Sequence, residues 1–166
     1  MNERNPLVGI VMGSANDWPV MCKAAEVLHE FSVAYETRVL SAHRTPDYFM
    51  EYVAAVQGRG LRLMIGGAGG AAHLPGIMAA KTLLPVLGVP IDATPLKGVN
   101  SLYAIVQMPR GIPVATFAIG DAGAANAALF AVAVLAGEDK RLAQALKDFR
   151  TRQAEKIKNT PPPILD

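Results

Sequence analysis

The chain has 166 residues, 51% of them hydrophobic and 18% charged, with a formal net charge of +2. That length is about one domain's worth and needs no disulfide or metal staple, and its one cysteine, Cys22, excludes an internal disulfide framework and a cysteine-rich zinc site. The basic residues are scattered, which excludes the clustered footprint that nucleic acid requires, although a small anionic ligand needs only one or two placed cations.

Taken in chain order, the pattern predicts alternating strands and helices. Leu7–Gly13 (LVGIVMG) reads as a buried strand, and the segment from Ser14 to Phe31 as a helix with Pro19 in its first turn. Ala34–Leu40 is a second strand. Thr45–Val56 is a second helix, with Thr45 as its cap and Pro46 at its first position. Leu61–Gly67 is a third strand, followed by a glycine loop that runs into a helix (GAGGAAHLPGIMAAKTL). Leu84–Pro90 is a fourth strand, Ser101–Met108 a short helix, and Ile112–Ile119 a fifth strand. Helices over Ala122–Ala136 and Asp139–Ile157 close the chain, and the tail NTPPPILD is expected to be extended.

Continuous apolar strands alternating with helices indicate a parallel sheet covered on both faces. The expected fold is a single three-layer α/β/α sandwich with a flavodoxin-like parallel sheet and an extra C-terminal helix. One domain is expected over residues 1–166: a sandwich core over about 7–137, then a C-terminal helix and tail over 138–166. The start, MNERNPLVGIVMG, lacks an apolar signal core with a small-residue cleavage site. With the single cysteine, that points to a cytoplasmic protein.

In open parallel sheets, ligands bind outside the carboxyl ends of the strands. Three loops emerge there in succession: Gly13–Pro19 (GSANDWP), Ser41–Arg44 (SAHR) and Gly66–Gly76 (GGAGGAAHLPG). A 2-1-3 strand order places them around one crevice. His43 and Arg44 are then a proton carrier and an anion clamp held between a strand end and a helix start. Ser14 and Asp17 either begin a helix or face a ligand; the same helix start could cradle an anion, and Asp17 could accept hydrogen bonds from sugar hydroxyls. His73, after the glycine loop, suits a supporting role in the site or a capping one, and His29 reads as a surface residue.

Several alternatives are weaker. Gly67–Ala72 fits a loose G-x-G-x-x-A dinucleotide fingerprint, but after the third strand instead of the first and without a well-placed acidic partner. Two histidines without a neighbouring acid make a poor metal set. No glycine elbow surrounds Ser41. The stretch AGAANAALFAVAVLAG is apolar nearly all round, yet at 16 residues too short for a membrane span. It must be buried, and a neighbouring subunit is expected to cover its outer face.

Taken together, MGSANDW, SAHRTP, GAGGAAHLPG, VLGVP, SLYAIVQMPRGIPVATFAIG and AGAANAAL resemble the 5-(carboxyamino)imidazole ribonucleotide mutase family of purine biosynthesis, PurE-type, class I. The likeness runs from about Val8 to Leu135. It implies a cytoplasmic, cofactor-independent homo-octamer without a metal, acting on a phosphorylated ribonucleotide and moving a carboxylate from the exocyclic nitrogen to carbon 4 of an imidazole ring. By the same likeness His43 is the catalytic histidine, Ser14 and Asp17 bind substrate, and Arg44 binds its phosphate. Ser41 and the backbone of Ala68 and Gly69 complete the crevice. Asn16 stands where the family often has a phosphate-contacting serine, and an amide can still donate there. The alternatives are an aminoimidazole ribonucleotide carboxylase that uses free carbon dioxide, or a flavodoxin-like nucleotide-binding module without catalysis.

Overall fold

The computed structural model describes residues 5–162 and 164. Five parallel strands form one sheet in the order β2-β1-β3-β4-β5. They are β1 (Val8–Met12), β2 (Tyr35–Val39), β3 (Leu63–Gly69), β4 (Val86–Ile91) and β5 (Ala115–Thr116). Six α-helices connect and cover them: α1 (Trp18–Glu30), α2 (Pro46–Ala55), α3 (Leu74–Lys81), α4 (Val99–Val106), α5 (Asp121–Leu135) and α6 (Lys140–Lys158). The 2-1-3 order expected from the sequence is present, with β1 paired to β2 on one side and to β3 on the other.

The period-two alternation of a strand divides the core. Ile10 and Met12 of β1 face α1, α5 and the start of α6, where they pack with Met21, Leu28, Val132 and Leu142. Val11 faces the opposite layer, with Phe49 and Val53 of α2, Leu74 and Met78 of α3 and Ile105 of α4. Every residue of β1 and β4 is buried, which is why these strands read as unbroken apolar runs. Phe49 is 1% exposed, and truncating such a side chain to alanine costs about 3–5 kcal/mol.

Three expectations are corrected. The fifth strand spans two residues instead of eight, because only Ala115 and Thr116 find ladder partners, on Leu87 and Gly88. β3 continues through Gly69, pairing Ala68 with Pro90 and Gly69 with Ile91. Ala68 and Gly69 of the expected glycine loop are therefore strand, and a dinucleotide fingerprint that needs Gly67–Ala72 as a strand-to-helix turn is not built. Finally, Thr45 precedes α2 but makes no side-chain cap; its hydroxyl donates backwards to the Ser41 carbonyl at 3.1 Å.

The apolar helix α5 is covered largely from within. Ala124, Ala127, Ala128, Ala131 and Val132 are fully buried, and their small side chains let α1 lie close against it. Phe149 of α6 is among the residues packed on that same core. The C-terminal helix thus takes over part of the covering expected of a neighbouring subunit, and Phe130 and Val134 remain 46% and 44% exposed. The expected extended tail over residues 159–166 lies partly outside the described residues, and those described there have no helix or strand beyond α6.

Candidate active site

The site is built by three consecutive strand ends. After β1 the chain makes one 3-10 turn, Ala15–Asp17, before α1 begins with Pro19 in its first turn. Ser14 and Asp17 close that turn reciprocally. The Ser14 hydroxyl accepts from the Asn16 N–H at 3.2 Å, and the Asp17 carboxylate accepts from the Ser14 N–H at 3.0 Å. Both residues therefore begin a helix, as their types favour, and both also face the cleft. Asp17 is 7% exposed. Burial pushes its carboxyl above the ordinary carboxylate range, against the opposing pull of the Ser14 N–H and the Arg44 charge.

After β2, residues 41–45 form a tight turn that Ser41 closes with both its side chain and its carbonyl. Its hydroxyl accepts from the Arg44 N–H at 3.1 Å, and its carbonyl accepts from the Thr45 N–H at 2.9 Å. The Arg44 side chain then folds back across the strand ends. Nη2 donates to the Gly13 carbonyl at 2.7 Å, and Nε donates to the Ser41 hydroxyl at 3.2 Å. A guanidinium has five N–H donors in a planar fork. These contacts engage two of them and fix the plane, which leaves the rest of the fork able to donate to a ligand.

After β3, Gly70 takes the left-handed region at φ +65°, which a side chain would strain. The chain reverses over residues 70–73 and enters α3 at Leu74. His73 precedes that helix, its carbonyl accepting from the Ile77 N–H at 3.0 Å. Its imidazole Nδ1 lies 2.9 Å from Nε2 of His43, with the ring planes 83° apart. A proton-carrying pair thus bridges the second and third loops. One ring nitrogen must donate and the other accept, so the contact holds only while the two rings share one hydrogen.

These segments converge on one cleft of about 440 Å³. All nine residues singled out from the sequence line it: Ser14, Asn16 and Asp17 from the first loop, Ser41, His43 and Arg44 from the second, and Ala68, Gly69 and His73 from the third. His29 is exposed, on α1. The cleft also takes Ala42, Ala71, Leu74 and Ala93. Ala93 comes from the loop after β4, and the 2-1-3-4 strand order was the signal that could have found it. Gly69 is required there: a Cβ at that position would stand 2.5 Å from the Ala93 Cβ and 3.2 Å from the Ile91 carbonyl oxygen. Among the described residues no group of three His, Cys, Asp or Glu side chains is gathered to hold a metal ion, and no helix is long and apolar enough to cross a membrane.

The cleft offers a shared proton on two imidazoles, a preset guanidinium, a buried carboxylate and short apolar walls. That set suits proton transfer on a small anionic molecule. Residues 7–156 match the model of a family described as AIR carboxylase. A protein of Vibrio vulnificus is 54% identical over 96% of this chain and 99% of its own length. One of Escherichia coli is 53% identical over 98% of this chain and 96% of its own. Both are named N5-carboxyaminoimidazole ribonucleotide mutase. The crystal structure of Treponema denticola PurE superposes with a TM-score of 0.83 at 29% identity, covering 92% of this chain and 94% of that one. With the family model spanning nearly the whole chain and relatives above half identity, this chain belongs to the AIR carboxylase family.

Proposed function

We propose that this protein is an isomerase of purine biosynthesis, converting 5-carboxyaminoimidazole ribonucleotide to 4-carboxy-5-aminoimidazole ribonucleotide. The observation that carries the reading is the cleft itself: His43, His73, Arg44 and Asp17 converge on it, in a chain whose relatives at 53–54% identity are named as that mutase. The working protein is a homo-octamer in the cytoplasm that needs no metal or organic cofactor.

The chemistry asks for one group that gives a proton and then takes one back. The carbamate N–C bond breaks and releases carbon dioxide, while protonated His43 delivers its proton to the nitrogen that becomes the exocyclic amine. Carbon 4 of the electron-rich ring then attacks the retained carbon dioxide, and the new C–C bond displaces the carbon 4 proton onto the now neutral His43. Atoms and charge return to their starting count, and the imidazolium is regenerated. Histidine fits because an imidazole can both give and take a proton in the same site. His73 orients the His43 ring through the 2.9 Å contact. Arg44, braced on Gly13 and Ser41, receives the phosphate with Ser14 and Asn16, and Asp17 takes the ribose hydroxyls. The backbone at Ala68, Gly69 and the turn after them surrounds the migrating carboxylate.

The second reading, a carboxylase drawing carbon dioxide from solution, is the activity in the family's own description. Arg44 after the histidine and the glycine-alanine loop favour the mutase by resemblance. The test is isomerisation of the carbamate by pure protein without bicarbonate, followed by ultraviolet absorbance. Labelled bicarbonate in the medium enters the product only slowly during a single turnover if the carbon dioxide is retained. Rapid equilibration of label, or a strict need for bicarbonate, assigns the carboxylase instead.

A further inference from the structure

The turn that carries His73 is gripped from outside the site. The left-handed Gly70 takes its carbonyl out of the β3 ladder at the point where the chain reverses. That oxygen accepts from the Asn100 side-chain amide at 2.9 Å, with the Ser101 hydroxyl 3.4 Å away. Both residues belong to the first turn of α4, which follows the fourth strand and supplies no wall of the cleft. Ser101 is fully buried, and its hydroxyl also donates to the Ile91 carbonyl at 3.1 Å, joining the end of β4 to this point.

The orientation of the amide is itself fixed. The Thr94 hydroxyl donates to Asn100 Oδ1 at 3.2 Å. The Gly70 carbonyl can only accept, so the NH₂ end must face it and Oδ1 is left to accept from Thr94; a flipped amide would lose the Gly70 bond. Thr94 lies in the same β4–α4 loop as Ala93, which lines the cleft. The other end of the turn is held by α3, where the Ile77 N–H reaches the His73 carbonyl. Four residues, 70–73, are thus pinned at both ends, and between those pins the turn presents Ala71 and the His73 ring, which rests on His43, to the cleft.

We propose that Asn100 is a positioning residue for the reaction, aided by Thr94 and Ser101: by holding the Gly70 carbonyl it fixes the turn that sets His73 against His43. The proposal rests on the mutase reading for its kinetic arm. Asn100 does not line the cleft, so its effect passes through the turn it holds. A group that orients the proton carrier acts on the chemical step more than on substrate affinity, because displacements of about 1 Å at a reacting group cost up to roughly 100-fold in rate.

The experiment compares wild type with Asn100→Ala and Thr94→Val, each measured for kcat and KM and by imidazole ¹⁵N–¹H NMR of the folded, ligand-free protein. Thr94→Val removes only the bond that braces the amide oxygen, and leaves Gly70 a partner, so it remains informative should Asn100→Ala fail to fold. We expect kcat to fall roughly 10- to 100-fold in Asn100→Ala and less in Thr94→Val, with KM within about twofold. The ring-to-ring coupling between His43 and His73 should be lost or broadened in parallel. Unchanged imidazole signals and unchanged kcat in folded variants overturn the proposal, even with a lowered melting temperature. If the wild type shows no isomerisation, the function fails, but the NMR arm still decides whether Asn100 sets the His73 ring.

Discussion

His43 Nε2 and His73 Nδ1 are 2.9 Å apart although 30 residues separate them in sequence. The contact joins the loop after β2 to the loop after β3, which are not neighbours in the sheet because β1 lies between them. It sets His43, the proton carrier proposed above, against a second imidazole. His43→Asn is expected to retain nucleotide binding and lose turnover by roughly 100- to 10,000-fold, the usual contribution of a general acid–base group. Single-turnover assays beside equilibrium binding check this; near-normal turnover would remove His43 from the mechanism.

Arg44→Ala is expected to act mainly on affinity. A lost charge-assisted contact is worth about 1.5–3 kcal/mol, roughly 10- to 100-fold in Kd. The structure adds a refinement. Because Nε and Nη2 brace Ser41 and Gly13, Arg44→Lys should recover little, since a lysine cannot fork. Titration with the nucleotide and with its phosphate-free nucleoside separates the roles. Equal losses for both ligands would show that Arg44 is a brace only.

Asp17 should make the fold less stable as pH rises. Burial raises its folded-state pKa above the ordinary 3.8, so its contribution is fully present below that value and is lost as pH climbs through the folded value. Asp17→Asn keeps an oxygen for the Ser14 N–H and removes the buried charge. The variant should melt a few degrees higher than wild type at neutral pH, with the gap closing in acid, while its turnover falls. Melting curves from pH 3 to about pH 7 test the sign; a variant less stable at neutral pH contradicts it.

Glu36 runs in the opposite direction. Burial pulls its pKa up, but Arg59, the Tyr52 hydroxyl and Arg38 outweigh burial and hold it below the ordinary 4.5. The carboxylate accepts from Tyr52 at 2.9 Å, from Arg59 at 2.6 Å and from Arg38 at 2.9 Å. Its stabilisation is therefore present above 4.5 and is lost as pH falls through the lower folded value. Tyr52→Phe should destabilise the protein by about 1.5–3 kcal/mol at neutral pH, and by less once Glu36 is protonated. Urea unfolding at two pH values measures both numbers.

Charges on α5 separate fold from assembly. Val132 is fully buried and Phe130 is 46% exposed. Val132→Asp should unfold the chain, whereas Phe130→Asp should leave circular dichroism intact and reduce the size of the oligomer by light scattering. A wild type that scatters as a monomer would overturn the octamer proposal.

The sequence by itself determined the layering, because helical and strand periodicities record which faces are apolar, and Val8–Met12 and Val86–Ile91 are apolar throughout. It also marked the three strand-end loops, since ligands of open parallel sheets bind at the carboxyl ends of the strands, and His43 and Arg44 put a proton carrier and an anion-binding fork there. What only the tertiary structure decided were matters of pairing between distant segments. Whether Ala68 and Gly69 are loop or strand depends on the β4 partner they meet, so local composition favoured the loop. The two-residue β5 is short for the same reason: Ile112–Ile119 has strand propensity along its length but ladder partners for only a fraction of it. The covering of α5 by α6, and the reach of Asn100 to Gly70 across 30 residues, are set by side-chain geometry between elements. Periodicity carries no information about such contacts, because it reports which face of an element is buried and not what the chain later brings against it.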